Sequence, residues 1–298
     1  MIIDEHFNHN TGNYSLSLST LQKLYAKVLD IQEQYQLSYS CFEPTDDGNF
    51  LEFSRRISLD SYNNGEHVEF DFNTLLFNLV IAIEYDKDMF AVEVYGLEEL
   101  DKRIEFFVSD PDLKAVLKNL TSNVFNRDTS ITELNQQRTY FLQAVQNLDQ
   151  VIEFEEDMNF LVATVPFNVQ ILCSNGTYRG DEVYVLQISL TSSSIEDQRL
   201  ADALVQSMLS LYLLEDDGLL SMGNVVVKIH NNLYIDKDNY RVLARDFYSV
   251  TDMELVVGPL AFDLNVETEL TEYTVPFVPD PEHEDALFLQ FNKEILSY

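Results

Sequence analysis

The chain has no tryptophan, two cysteines, nine glycines and only 18 lysines and arginines. Each scarcity excludes something. Glycines this few, scattered at turn-like positions, leave no GxGxxG, Walker A or GxSxG pattern. A loop that cradles phosphates, or a nucleophile elbow, needs such clustering. Cys41 and Cys173 are solitary, with no CxxC or HExxH, so the spacing that zinc requires is missing. Both cysteines sit in apolar, strand-like stretches and read as buried free thiols of a reducing compartment. The absence of tryptophan argues mildly against a sugar-stacking platform. No apolar run is long enough to cross a bilayer, the longest candidate being Leu75–Ile83, broken by Asn78. The opening Met-Ile-Ile-Asp-Glu-His lacks the basic and apolar regions of a signal peptide. These features lead us to expect a soluble, cytoplasmic protein.

What is abundant is acid. Fifty-one Asp and Glu give a formal net charge of -33. That surplus repels itself and keeps a chain soluble. It argues against direct binding to nucleic acid, where Lys and Arg must displace counterions, and against anionic membranes. A basic protein surface suits it better. Hydrophobic residues are still 46% of the chain, so global disorder is not expected.

The acids concentrate late. Asp246 to Asn292 holds eleven Asp and Glu and no Lys or Arg, interleaved with residues such as Val256, Phe262, Leu264 and Phe277. A merely self-repelling tail would lack those apolar residues. The pattern suggests a folded scaffold that displays carboxylates. Asp263, Glu267, Glu269, Glu272, Glu282, Glu284 and Asp285 are the expected partner-binding residues.

Periodicity predicts a first helix from Ser19, boxed with Gln22, to about Gln36. Strands follow at Leu37–Phe42, Phe50–Leu59, Val68–Phe72, Leu75–Tyr85 and Met89–Tyr95, with turns at 44–49, Asn63-Asn-Gly65 and Asp86-Lys-Asp88. Asp110 before Pro111 opens a helix with Leu113, Val116, Leu117 and Leu120 on one face. That placement makes the Asp112-Leu-Lys114 step a helix start rather than a nuclease motif. Ser130 with Glu133 opens a second helix through Leu134, Phe141, Val145 and Leu148. Later strands are expected at Phe160–Cys173 and Glu182–Leu190, around a turn at Ser174–Thr177. A helix boxed by Ser193 and Glu196 runs on through Leu204 and Met208. A hairpin turns over Asn231-Asn232, and further strands lie at Glu254–Val257, Ala261–Val266 and Glu272–Val278. Tyr240–Phe247 is ambiguous, and Ala286–Leu296 leans to helix. The fold class is therefore α+β, with mostly antiparallel sheets, packed helices and two subdomains. The expected divisions are an N-terminal α+β domain at 1–125, a connecting helical segment at 126–158 and an acidic C-terminal α+β domain at 159–298.

Other chemistry has a plainer reading. His6 and His9 beside Asp4 and Glu5 form a polar terminus. His67, between two glutamates, is a solvated strand residue, and His230 shows no partner. Asp236-Lys-Asp-Asn239 offers oxygen ligands at alternate positions but lacks the glycine and closing Glu of a calcium loop. No cofactor or metal is expected. With 51 acids, a pair of carboxylates at any chosen spacing carries no information about glycosidase chemistry.

In size, charge and lack of catalytic motifs the chain resembles, in kind, phage-encoded anti-defence proteins, among them DNA-mimicking restriction inhibitors and anti-CRISPR proteins. The resemblance implies a non-enzymatic inhibitor or decoy that docks on a basic, nucleic-acid-binding protein, in the host cytoplasm if the chain is viral. The helix–meander–helix order of Ser19–Val124 is loosely similar to the small α+β chaperones of type III secretion, which implies instead groove binding by a dimer. An immunity-type binding protein, or an enzyme with a carboxylate-held metal, are further readings. Homo-oligomerisation is compatible with the apolar content. Partner binding that weakens steeply with salt marks the charge-based reading. Salt-indifferent binding marks the groove, and stoichiometric uptake of magnesium, manganese or calcium marks the metal.

Overall fold

The structure is a computed structural model. It describes residues 33–45, 48–63, 65–67, 79–123, 126–160, 163–192, 198–211, 213–215 and 220–276, together with 16, 19–21, 23, 24 and 75. His6, His9, Gln22, Val68–Phe72, the Ser193/Glu196 box, Ala286–Leu296 and the expected contacts Glu282, Glu284 and Asp285 lie outside those residues.

The fold is α+β. Eleven strands form one sheet: β1 (Glu33–Pro44), β2 (Phe50–Asn63), β3 (Glu66–His67), β4 (Val80–Tyr85), β5 (Ala91–Tyr95), β6 (Ile152–Phe160), β7 (Ala163–Tyr178), β8 (Asp181–Ser192), β9 (Leu220–Asp236), β10 (Val242–Val257) and β11 (Leu260–Pro276). The order is β5-β4-β2-β1-β11-β10-β9-β8-β7-β6, with β3 beside β2. Every pairing is antiparallel except β1 with β11. Two antiparallel blocks, one from each half of the chain, thus meet along a single parallel ladder. The helices are α1 (Glu98–Phe107), α2 (Pro111–Asn123), α3 (Arg127–Val145) and α4 (Gln198–Leu211). The first three bridge the two blocks in the chain.

Alternation divides each long strand into two faces, because successive side chains of a strand point to opposite sides. On β7, Val165, Phe167, Val169, Ile171 and Cys173 are buried while Thr164, Pro166, Asn168 and Gln170 are exposed. The buried face of β7–β11 packs under α4, through Ala201, Leu204, Val205, Met208 and Leu209, and under the C-terminal half of α3, through Tyr140, Phe141 and Ala144. Leu21 and Leu24, in helical conformation, seal the same core. A second cluster joins α1 and α2, centred on Leu100, Ile104 and Leu117. Leu51, Phe53, Val80 and Ala82 form a third on the other face of the N-terminal block.

Helix α3 touches β5, at one end of the sheet, and β7, next to the other end. The sheet therefore curls around it. Asn135 covers the unpaired edge of β5: its amide donates to the Ala91 carbonyl (3.0 Å) and accepts from the Ala91 N–H (2.7 Å). A side chain so placed imitates a neighbouring strand and closes an edge that would otherwise invite pairing.

Local chemistry decides several boundaries. The β1 strand begins at Glu33, so no helix reaches Gln36. Asp110 accepts from the N–H groups of Asp112 and Leu113, which caps α2 as expected. In α3 the cap is Asn126, which accepts from Thr129, four residues ahead of the Ser130 start. Ser174–Thr177 is no turn. It stays paired to Val183–Val185 and Glu182, and the chain reverses at Arg179-Gly180. Both of those residues have positive φ (53° and 97°), the geometry of a tight hairpin. Likewise Asn231-Asn232 lies within β9, and the reversal comes at Asp236–Asn239. There the Asp236 carboxylate accepts from the N–H groups of Asp238 and Asn239. Its oxygens hold the turn, which is the local alternative to ligating a cation. The strand expected from Leu75 begins only at Val80, and Tyr240–Phe247 resolves largely into β10. Gly96, at φ 92°, sits so close to the Val80 carbonyl that a side chain there would collide with backbone.

Ala91 is 3% exposed, so water cannot replace the Asn135 amide. Asn135→Ala is expected to cost about 1–3 kcal/mol, the penalty for stranding buried backbone groups. Urea denaturation measures it.

Candidate functional site

Between α3 and the facing side of the sheet lies a cavity of about 390 Å³. Its floor comes from both blocks. Gln36, Ser38 and Ser40 of β1 and Glu52 and Ser54 of β2 stand beside Arg245 of β10 and Glu272 of β11, with Arg241 at the β9–β10 reversal. The pairing register puts them there. Arg245 is opposite both Leu233 and Glu272, and Gln36 is opposite Glu272, so these side chains share one face. The roof is one face of α3: Ser130, Glu133, Leu134, Gln137, Arg138 and Phe141, at the three- and four-residue spacing of a helix.

Arg241 is the most tightly held group. Its Nη2 lies 3.0 Å from Glu52 Oε1, and it also donates to Ser40 Oγ. The two side chains are 11% and 14% exposed. Glu52 further accepts from the Tyr85 hydroxyl at 3.3 Å. Burial first, and then the Glu52 charge, push the Tyr85 hydroxyl well above its ordinary pKa. Arg245 donates to Asn231 Oδ1 at 3.0 Å, lies 3.7 Å from Glu272 and covers the Phe247 ring at 5.0 Å. Arg56, opposite Ser38 on β2, is lowered by burial and partly restored by Glu272.

Arg138 differs from these. Its Nε donates to the Asp88 carbonyl at 3.0 Å, and its guanidinium lies over the Phe141 and Tyr240 rings at 5.3 and 5.2 Å. Its Nη1 is buried and has no hydrogen-bond partner among the described residues. Burial lowers its pKa, against the opposing pull of Tyr240, Asp86 and Asp88. Glu133 keeps some solvent exposure, yet the cavity walls surround it closely enough to raise its pKa, with Arg245 opposing.

The carboxylates singled out in the sequence fall on two faces. Asp263, Glu267 and Glu269 alternate along the outer face of β11 and are exposed. Glu272 points inward, to Arg245. The outer face continues the acid pattern on β10, where Glu254 lies directly opposite Asp263 and Asp252 opposite Asn265. Strands β10 and β11 carry one base, Arg245, and it faces the cavity. A separate row, Glu153, Glu155 and Asp157, alternates on the edge strand β6, where charge blocks unwanted strand pairing. His230, without a visible partner in the sequence, lies 3.0 Å from Ser189 Oγ and stacks on Tyr248. Among the described residues, no three His, Cys, Asp or Glu side chains are grouped to hold a metal, and no helix is long and apolar enough to cross a membrane. Cys173 is buried and free, and burial raises its pKa to about 11.

The sequence reading missed Glu52, Arg138, Arg241 and Arg245. Their signal was faint. Gln36, Ser38 and Ser40, then Glu52 and Ser54, put polar residues on one face of two successive strands, which reads equally as a solvent face.

Removing one partner of a buried ion pair strands the other charge, at a cost of about 3–5 kcal/mol, whereas replacing both with apolar groups is often near neutral. Arg241→Met alone is expected to destabilise by that amount in urea titrations. Combined with Glu52→Leu, most of the loss should return; an additive double variant would contradict the pairing.

Tyrosines bonded to carboxylates make the fold sensitive to alkali. Tyr95, which donates to Glu84 at 3.0 Å, is raised to about 12, first by burial; Tyr85 and Tyr140 are raised by the same cause. A raised folded-state pKa contributes stability that is complete below the unfolded value of about 10 and is lost as pH climbs through the folded value. Ultraviolet titration should therefore show a class of tyrosines ionising at about pH 12 and above, together with loss of the folded circular dichroism signal.

No protein-family model matches the chain, and no curated protein or solved structure was found to match it.

Proposed function

We propose that the protein is a non-enzymatic binder whose outer carboxylate face docks on a basic, nucleic-acid-binding protein and so inhibits it, in the manner of an anti-defence inhibitor or DNA-like decoy. The observation that carries this reading is the register of like charges. Glu254 faces Asp263 across the β10–β11 ladder. Like charges directly opposite one another in a sheet are destabilising. A fold that keeps them on a face with Glu267 and Asp252, and turns the one arginine of these strands inward, holds its repulsion in a rigid pattern. A cationic partner relieves that repulsion, so association gains what folding gave up. Along a strand, alternate side chains are about 6.6 Å apart. One DNA strand carries a phosphate about every 3.4 Å along the helix axis. A row such as Glu267 and Glu269, flanked by the acids of β10, therefore offers a phosphate-binding surface a field of the same sign and comparable grain. The face has few bases to direct it toward nucleic acid itself. In this reading it works in the cytoplasm, of a host if the chain is viral, without cofactor.

The test is capture from a bacterial lysate on the immobilised chain, followed by mass spectrometry. Basic nucleic-acid-binding proteins should be enriched at low salt and released as salt rises. The triple variant Asp263→Lys, Glu267→Lys, Glu269→Lys should retain them at least about tenfold less, with an unchanged circular dichroism spectrum. Equal retention by the variant, or enrichment of apolar and unfolded proteins that resist salt, would remove this reading in favour of groove binding.

A further inference from the structure

We propose that the cavity beneath α3 is a binding site for a small amphipathic acid, an organic molecule with one carboxylate or phosphate joined to an apolar or aromatic body. This does not depend on what docks on the outer face.

A volume of about 390 Å³ lies at the small end of the range for cavities that enclose organic ligands. The lining is divided. Ile81, Ile83, Val94 and Leu134 give an apolar side from β4, β5 and α3, while the β1–β2–β10–β11 floor is polar. A helix that merely covered this sheet would present an apolar stripe. Instead α3 turns Ser130, Glu133, Gln137 and Arg138 toward the space, and the space stays open.

The charges say which end of a ligand goes where. Of the nine arginines in this acidic chain, three line this cavity. Arg241 is matched by Glu52 and Ser40, and Arg245 by Glu272 and Asn231. Arg138 is held by the Asp88 carbonyl through Nε and by two ring faces, and among the described residues it forms no ion pair with a carboxylate. A carboxylate or phosphate on the ligand supplies that counter-charge with a charge-assisted bond. Tyr240, 43% exposed beside that guanidinium, offers a ring for the ligand's apolar body. A cation or a neutral alcohol leaves the Arg138 requirement weakly met. Glu133, on the same helix face, opposes the incoming anion and favours ligands with a single charge.

The experiment uses the full chain with 3-phenylpropionate and phenyl phosphate as probes, and 3-phenylpropan-1-ol and phenethylamine as controls. Binding is followed by saturation-transfer NMR and titration. The better of the two acids should bind at least about tenfold tighter than the alcohol or the amine, and the ranking of the two acids names the headgroup. Arg138→Gln should erase the preference, while Glu133→Gln, which removes a like charge, should tighten acid binding severalfold. Equal binding of acid and alcohol, no binding of either acid, or a folded Arg138→Gln protein that keeps the preference would overturn the proposal. If Arg138→Gln does not fold, Glu133→Gln decides: an acid affinity that does not rise overturns it.

Discussion

A parallel ladder of eight residue pairs, Glu33–Ser40 against Glu269–Pro276, joins strands from opposite ends of the chain. Everything notable about the molecule depends on it. It fuses the antiparallel block of β2, β4 and β5 to that of β6–β11. It also brings Glu52 within 3.0 Å of Arg241, a residue 189 positions away. Parallel pairing between such distant segments is entropically demanding, since a long loop must close before any contact rewards it. The buried Arg241–Glu52–Ser40 contacts straddle the same seam, and the Arg245–Glu272 pair lies beside it on the β11 side. Polar contacts of this kind contribute less to net stability than to specifying which strands meet. One residue of slippage would place Glu272 outside and Tyr273 within, so the register is sharply defined.

The seam also explains the two faces of β11. Its outward positions carry Asp263, Glu267 and Glu269 into solvent, while its inward positions supply apolar core at one end and Glu272 at the other. A single strand thus serves an acidic exterior and a polar cavity, and the alternation of side chains keeps the two apart. The exterior is self-repelling, and the interior pairs its charges almost completely. Arg56 and Arg138 are the exceptions, each with one buried guanidinium nitrogen that has no hydrogen-bond partner among the described residues. A large exterior charge costs little in water, where screening is strong. A guanidinium short of an acceptor in the interior costs much more, which is why such groups are informative and the many exposed acids are less so individually.

Local signals in the sequence were sound where they acted over a few residues. The Asp110–Pro111 helix start, the Asp86 turn, the amphipathic stripe through Phe141 and the α+β class all follow from spacing and side-chain chemistry within one window. The misplaced turns have a common cause. Ser174–Thr177 and Asn231-Asn232 have turn composition, yet each lies within a strand of sixteen or seventeen residues, the first paired to β8 and the second to β8 and β10. Continued strand pairing outweighs turn propensity, and the reversals move to Arg179-Gly180 and Asp236–Asn239, where positive φ or an Asp side chain can hold them.

By itself the sequence determined the charge, the want of phosphate-cradling and zinc motifs, the mixture of helices with antiparallel strands and the exposed alternation Asp263, Glu267, Glu269. Those depend on composition and short-range period. Tertiary structure decided that β1 runs parallel to β11, that Glu272 turns inward while its neighbours in the acidic stretch turn outward, and that arginines at 138, 241 and 245 converge on one cavity. None of these could be read in advance. A strand's sequence states which residues share a face, but the partner strand and the side on which the helix lies are set only when the whole core closes.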